Sequence, residues 1–170
     1  GGIPWGPGYT TKHSCSNGPM VSPLVWLYEI YKDRDDVTTH RFIDIDKTRK
    51  SETVKKSRYY LDFAKKVYDW QKTVLLRADG VYHDMRGGCV PNCNVAYEWV
   101  GGVRYRANTE LTRSEGEALS YNCGTMLSGA ADLYRVTRLG EYLEDFQQLS
   151  DASFNYFGKL NQNVPGYYTY

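Results

Sequence analysis

Apolar positions recur at helical spacing along four stretches of the chain and alternate strictly along a fifth. Val54, Tyr60, Leu61, Ala64, Val67, Tyr68 and Val74 keep to one helical stripe. They predict a helix from about Glu52 to Leu76, with Ser51 as its N-cap and Asp79-Gly80 as its stop. A shorter helix is predicted from about Val21 to Lys32, where Pro23 is tolerable only in the first turn. The segment from Tyr121 to Tyr134 turns from an irregular approach into a helix over about Gly124–Thr137. Tyr121 and Asn122 are placed just ahead of that helix, and Gly124, Ser128 and Gly129 leave its surface open to close packing. A fourth helix is predicted from about Gly140 to Phe157.

Between the second and third helices, Tyr97-Glu98-Trp99-Val100 and Val103-Arg104-Tyr105-Arg106 alternate around Gly101-Gly102, the signal of a β-hairpin. An isolated hairpin is marginal in water, so this one is expected to lie on the helical body. Gly1 to Pro19, with five Gly and three Pro, reads as loop in which Gly1-Gly2-Ile3-Pro4-Trp5 turns tightly and presents an indole. The charged stretch from Asp33 to Lys50 reads as a solvated excursion, and the tail to Tyr170 as loop.

The chain also repeats itself. Ser16-Asn17 through Leu27-Tyr28 is echoed by Tyr121-Asn122 through Leu133-Tyr134, each placing a Ser five residues before Leu-Tyr. A second helical run follows each copy, opening at Tyr60-Leu61-Asp62-Phe63 and at Tyr142-Leu143-Glu144-Asp145. The repeating unit is therefore a pair of helices, and two such units are few for closing a core. The fold class expected is all-α, with one small β-hairpin.

Composition narrows the partners. With 21 Lys and Arg against 20 Asp and Glu, the net charge of +1 gives no support for nucleic acid or an anionic membrane. No apolar run approaches the roughly 20 residues of a membrane span. The 170 residues, 41% of them hydrophobic, suffice for one domain. Sixteen Tyr, four Trp and five Phe leave two readings open, a Tyr-rich core or a ring-lined groove suited to the apolar faces of sugars. Of the four cysteines, Cys89 and Cys93 have a zinc-like spacing but lack two further ligands, so no metal or other cofactor is expected, and oxidation of that loop is favoured. The pairing of Cys15, Cys89, Cys93 and Cys123 stays open.

Five segments in order, Gly1-Gly2-Ile3-Pro4-Trp5, Cys15-Ser16-Asn17-Gly18-Pro19, Asp79-Gly80-Val81-Tyr82, Tyr121-Asn122-Cys123-Gly124 and Leu133-Tyr134, resemble glycoside hydrolase family 76, the α-1,6-mannanases. The resemblance implies an (α/α)6 toroid of helical hairpins with a groove at one end, retaining hydrolysis of α-1,6-linked mannan, and a bacterial extracellular, periplasmic or cell-surface location. Against that pattern, residues 1–170 read as part of a single toroid domain, with sequence missing at the N-terminal side and after the last helix, so the remainder of that domain is an expected partner.

Two departures bear on chemistry. The family's catalytic carboxylates are an adjacent Asp-Asp pair followed by Trp, upstream of the Gly-Gly-Ile-Pro-Trp segment with which this chain begins. Asp35-Asp36 is followed by Val-Thr-Thr and lies on the wrong side of that segment, so it is rejected as the pair, and no catalytic residue is expected in this chain. The family's usual Gln is Cys123 here. A retaining glycosidase needs a nucleophilic carboxylate and a carboxylic acid about 5 Å apart. What remains is a substrate-positioning surface: Trp5 as a stacking platform, Ser16, Asn17 and Asn122 as hydroxyl partners, Tyr121 as ring and donor, and Asp84 as acceptor. Asn17 and Asn122 have a second reading as helix caps, Trp5 as core and Asp84 as a solvated loop acid. His13 and His83 are read as structural. The alternative function is carbohydrate binding without hydrolysis.

Overall fold

The computed structural model describes all residues except 1, 7–8, 45, 88–95, 107–112, 161, 167 and 170. In chain order they form β1 (Lys12–His13), α1 (Ser14–Tyr31), β2 (Val37–Ile43), β3 (Arg49–Lys55), α2 (Lys56–Leu75), β4 (Met85–Arg86), β5 (Tyr97–Val100), β6 (Val103–Arg106), β7 (Ser114–Glu115), α3 (Ser120–Thr137), α4 (Gly140–Phe157), β8 (Lys159–Leu160) and β9 (Tyr168–Thr169). The four helices pair as two hairpins. Tyr31, ending α1, stacks on Tyr60 near the start of α2 at 5.7 Å, whereas Gly18, near the start of α1, approaches Gln71 near the end of α2. The two helices are thus antiparallel. A two-residue link, Arg138-Leu139, turns α3 into α4, with Arg138 in the left-handed region at φ 60° and its N–H closing on the Tyr134 carbonyl.

The repeat seen in the sequence is a repeat in space. Gly18 faces Thr125, Val21 faces Gly129, and Glu29 pairs with Arg135, so α1 and α3 run parallel and start at the same end. Their approach depends on missing side chains: a methyl group on Gly18 would stand 2.4 Å from Thr125 Oγ1, and one on Gly129 would stand 3.0 Å from Val21 Cγ1. Around this seam the core collects Val21, Val25, Ala64, Val67, Tyr68, Leu75, Val81, Met126, Ala130, Leu133, Tyr142 and Leu149. From α4, Asp145 accepts hydrogen bonds from Tyr68 (3.0 Å) and Lys72 (2.6 Å) of α2, and this buttress ties the second helices of the two units together.

Several boundaries differ from the sequence expectations. Helix α1 starts at Ser14, inside what reads as loop, and holds both Pro19 and Pro23. Its first turn is satisfied from outside: Ser14 N–H donates to the Asp84 carbonyl (2.7 Å) and Ser14 Oγ to the His83 carbonyl (2.7 Å). Both prolines line one exposed groove with Trp26, where the helix carbonyls they leave unbonded can meet water. Tyr121 and Asn122 lie in the first turn of α3, which starts at Ser120, rather than ahead of it.

The stretch expected as a solvated excursion is largely a hairpin of two seven-residue strands, β2 against β3, in register from Val37↔Lys55 to Ile43↔Arg49. Ser51 is therefore a strand residue and not a cap, and α2 starts at Lys56, whose N–H donates to the Asp36 carbonyl (2.8 Å). The turn is closed by Asp46, whose Oδ1 accepts from the Thr48 N–H (2.9 Å) and hydroxyl (2.6 Å). The hairpin expected at 97–106 is present, with Gly101 (φ 55°) and Gly102 (φ 76°) forming its turn. In the tail, β8 pairs with β9.

Candidate functional site

The site is built at the common starting end of α1 and α3 by a small sheet that gathers three distant segments. β1 pairs with β4 (Lys12↔Arg86, His13↔Met85), and β4 pairs with β7 (Met85↔Glu115, Arg86↔Ser114). This pairing brings His13 beside Asp84, which immediately precedes β4. His13 Nδ1 lies 3.6 Å from Asp84 Oδ2, and His13 Nε2 lies 3.2 Å from Thr11 Oγ1. Asn122, in the first turn of α3, donates from Nδ2 to the other Asp84 oxygen, Oδ1, at 3.3 Å. The carboxylate is thus addressed from two sides and remains about a quarter exposed. Gly116 lets it sit there: φ is 88°, and a methyl group would stand 2.7 Å from Asp84 Cβ.

Two exposed rings lie near the carboxylate, Trp5 on the far side of His13 and Tyr121 close enough to sense its charge. Trp5, 53% exposed, has its ring 4.6 Å from that of His13 and 4.8 Å from that of Tyr9, and its main-chain N–H donates to the Thr11 carbonyl at 3.0 Å. Tyr121 is 52% exposed. Desolvation, then the negative charge of Asp84 and the thiol of Cys15, hold its phenol above the ordinary tyrosine range, so it stays a hydrogen-bond donor at neutral pH.

Of the six residues expected from sequence, Trp5, Asp84, Tyr121 and Asn122 come together. Asn17 sits at the same end but is fully buried, and its amide is engaged by main chain: it accepts from Ile3 N–H (2.6 Å) and donates to the carbonyls of Ile3 (3.0 Å) and His13 (2.7 Å). It secures the segment that carries Trp5. Ser16 is half-buried in the first turn of α1 and makes no hydrogen bond to the others among the described residues. Asn122 Oδ1 is buried without a partner among the described residues.

The residue that sequence reasoning passed over is His13. Its two partners in the site, Trp5 and Asp84, become neighbours through the β1–β4 pairing, and the local signal was an aromatic-rich segment around it. His83 turns away, with Nδ1 3.3 Å from the Gly116 carbonyl.

Asp35 and Asp36 lie beyond the far end of α1, where Asp35 pairs with Lys55 (2.9 Å) and Asp36 with Lys56 (3.7 Å). Among the described residues no His, Cys, Asp or Glu group forms a metal cluster. Cys15 and Cys123 are free thiols, and burial pushes the Cys123 thiol up. Cys89 and Cys93 lie outside the described residues. Chemically, the cluster offers a ring platform, a neutral phenol donor and one carboxylate held ready to accept hydroxyls.

The cluster thus sits at the end of a protein built of antiparallel helical hairpins. The family model for glycosyl hydrolase family 76 matches residues 51–165, and the chain belongs to that family. Among solved structures, a family 76 mannosidase from Bacteroides thetaiotaomicron is similar at TM-score 0.63 and 20% identity, covering 95% of this chain and 34% of that one. An inactive variant of the α-1,6-mannanase of a Salegentibacter species, with two adjacent aspartates replaced and in complex with α-1,6-mannotetrose, is similar at TM-score 0.56 and 24% identity. That likeness covers 95% of this chain and 35% of the other. A Listeria innocua protein matches at TM-score 0.59 and 22% identity, over 93% of this chain and 33% of its own. The chain spans about a third of the length of these relatives. No curated protein matches it in sequence.

Proposed function

We propose that this chain provides substrate-holding surface for a glycoside hydrolase that cleaves α-1,6-linked mannan with retention, the catalytic Asp pair being supplied from outside these 170 residues. The observation that carries the reading is Asp84, held between His13 and Asn122, with the exposed Trp5 packed on His13 and the exposed Tyr121 nearby. A sugar ring stacks its C–H face on the indole, while Asp84 accepts from, and Tyr121 donates to, its hydroxyls. One carboxylate does not perform double displacement, which needs a nucleophile and an acid on either side of the scissile bond. The Salegentibacter relative, whose inactive variant is in complex with an α-1,6-mannotetraose, supports the choice of substrate.

The test is an overnight incubation of the purified chain with debranched α-1,6-mannan beside a complete family member carrying these residues. The chain alone is expected to bind α-1,6-mannotetraose and to release no reducing sugar at any pH. Turnover that survives Asp35→Ala with Asp36→Ala would overturn the assignment of catalysis elsewhere. Turnover abolished by that pair of changes would make Asp35-Asp36 the catalytic pair. In the complete enzyme, Asp84→Asn is expected to weaken substrate use about 10- to 100-fold, the range for a hydrogen bond to a charged group.

That the cluster holds a single carboxylate also favours a second reading, in which the surface binds mannan without taking part in hydrolysis. Mannotetraose binding by the chain, combined with unchanged hydrolysis in the complete enzyme's Asp84→Asn variant, would select it.

A further inference from the structure

The β2–β3 hairpin does more than connect two helices. It folds against α2 and encloses with it a cleft of about 520 Å³, none of whose lining residues belongs to the cluster around Asp84. The volume lies within the ordinary range of small-ligand sites, roughly 300–1,000 Å³. Its walls are rings drawn from both elements. His40 stacks on Phe42 at 5.4 Å and 23° and meets Tyr59 of α2 at 5.0 Å, and Tyr59 in turn neighbours Phe63 at 6.1 Å. Such a wall matches the apolar face of a pyranose ring.

The charges around the rings are unequal. Of the two carboxylates in the lining, Asp62 is paired with Arg58 (3.4 Å) and Glu52 faces His40 Nε2 across the strands (3.9 Å). Arg41 and Lys66 also line the cleft, and neither has an ion pair among the described residues. An apolar wall and two cations without ion pairs among the described residues describe a ligand with a ring face and a negative substituent.

We propose that this cleft is a second saccharide-binding site, selective for a sugar bearing an anionic group, either a phosphate ester or a uronate carboxylate. The pyranose lies along Tyr59, Phe63 and His40, and the anion is held by Lys66, with Arg41 at the rim adding positive charge from the neighbouring strand position. The assignment is independent of the reading of the Asp84 cluster.

Amide chemical-shift titrations of the whole chain test it, with mannose 6-phosphate, glucuronic acid, mannose and inorganic phosphate as separate probes up to about 10 mM, where a site with Kd of about 1 mM is nearly saturated. Mannose 6-phosphate, glucuronic acid or both should shift residues 40–43, 52–54 and 58–66, and whichever binds identifies the anion. Mannose and inorganic phosphate should each bind at least about tenfold more weakly, having lost one kind of contact. Arg41→Glu with Lys66→Glu should abolish the shifts, and the exposed ring substitution Phe42→Ser should weaken them, with spectra elsewhere unchanged as the fold control. Asp84→Asn should leave this binding intact. The proposal is overturned by no saturable shift with either anionic sugar, by mannose or inorganic phosphate binding as tightly as the sugar anion, or by full binding in the double charge reversal.

Discussion

Asn17 shows how a residue can look like a ligand contact and serve the main chain instead. Its side chain is fully buried and makes three bonds to the backbone of Ile3 and His13, so Asn17→Ala leaves several polar groups without partners. The expected cost is about 2–4 kcal/mol in urea unfolding, with loss of the tilted Trp5–His13 ring contact visible as a change in indole fluorescence. Gly18 tests the neighbouring contact. An alanine there improves helix propensity by up to about 1 kcal/mol, but its methyl group meets Thr125. Gly18→Ala should therefore be net destabilising by about 1–3 kcal/mol, and Thr125→Ala should recover part of that loss in a double-mutant cycle.

Tyrosine ionisation gives a pH dependence at the same scale. Burial, followed by the charges of Asp69, Glu141 and Asp145, pushes the Tyr142 phenol from 10.0 up to about 12, and burial drives Tyr68 and Tyr82 upward as well. A folded-state pKa above the unfolded value gives a contribution that is complete below about pH 10 and is lost as pH rises through the folded value. Unfolding free energy should hold up to about pH 10 and then fall, and Tyr142→Phe should make that fall shallower in denaturant titrations across pH 9–12.

At the scale of elements, the β5–β6 turn isolates backbone conformation from packing. Gly102 has φ of 76° and open space around its Cβ position, so Gly102→Val is strained only through its backbone, by about 1–2 kcal/mol. Hydrogen exchange should quicken at residues 97–106 and stay unchanged in α2 and α3. This hairpin was legible in sequence because two glycines sit between two alternating runs, and α4 was legible to both ends because its amphipathic pattern starts and stops with it. The starts of α1 and α3 were not. Neither has a side-chain cap, and the first turn of α1 takes its partners from residues 83–84, about 70 positions away. The β2–β3 hairpin was hidden by its charges: Arg41, Arg49, Lys50, Glu52 and Lys55 mask the alternation of Thr38, His40, Phe42 and Val54. In the site, motif residues carried their own signal, whereas His13 required knowledge of strand pairing.

Over the whole molecule, the parallel α1–α3 pair leaves an exposed groove of about 470 Å³ lined by Pro19, Pro23, Trp26, Thr125 and Ser128, and Trp26 is 54% exposed. Trp26→Gln should change unfolding free energy by no more than about 0.5 kcal/mol while lowering binding of an apolar dye. The three-stranded sheet has a consequence of another kind. Helices α3 and α4 are joined by two residues and can find one another by local search, whereas β1, β4 and β7 must draw residues 12, 86 and 114 to one place. Closing those long loops places the assembly of Trp5, His13, Asp84 and Asn122 late in folding and makes it an early casualty of partial unfolding. On slow heating, the saccharide binding proposed for this cluster would then disappear while helical circular dichroism is still intact, so that the working life of the surface is set by its shortest strands and not by its longest helices.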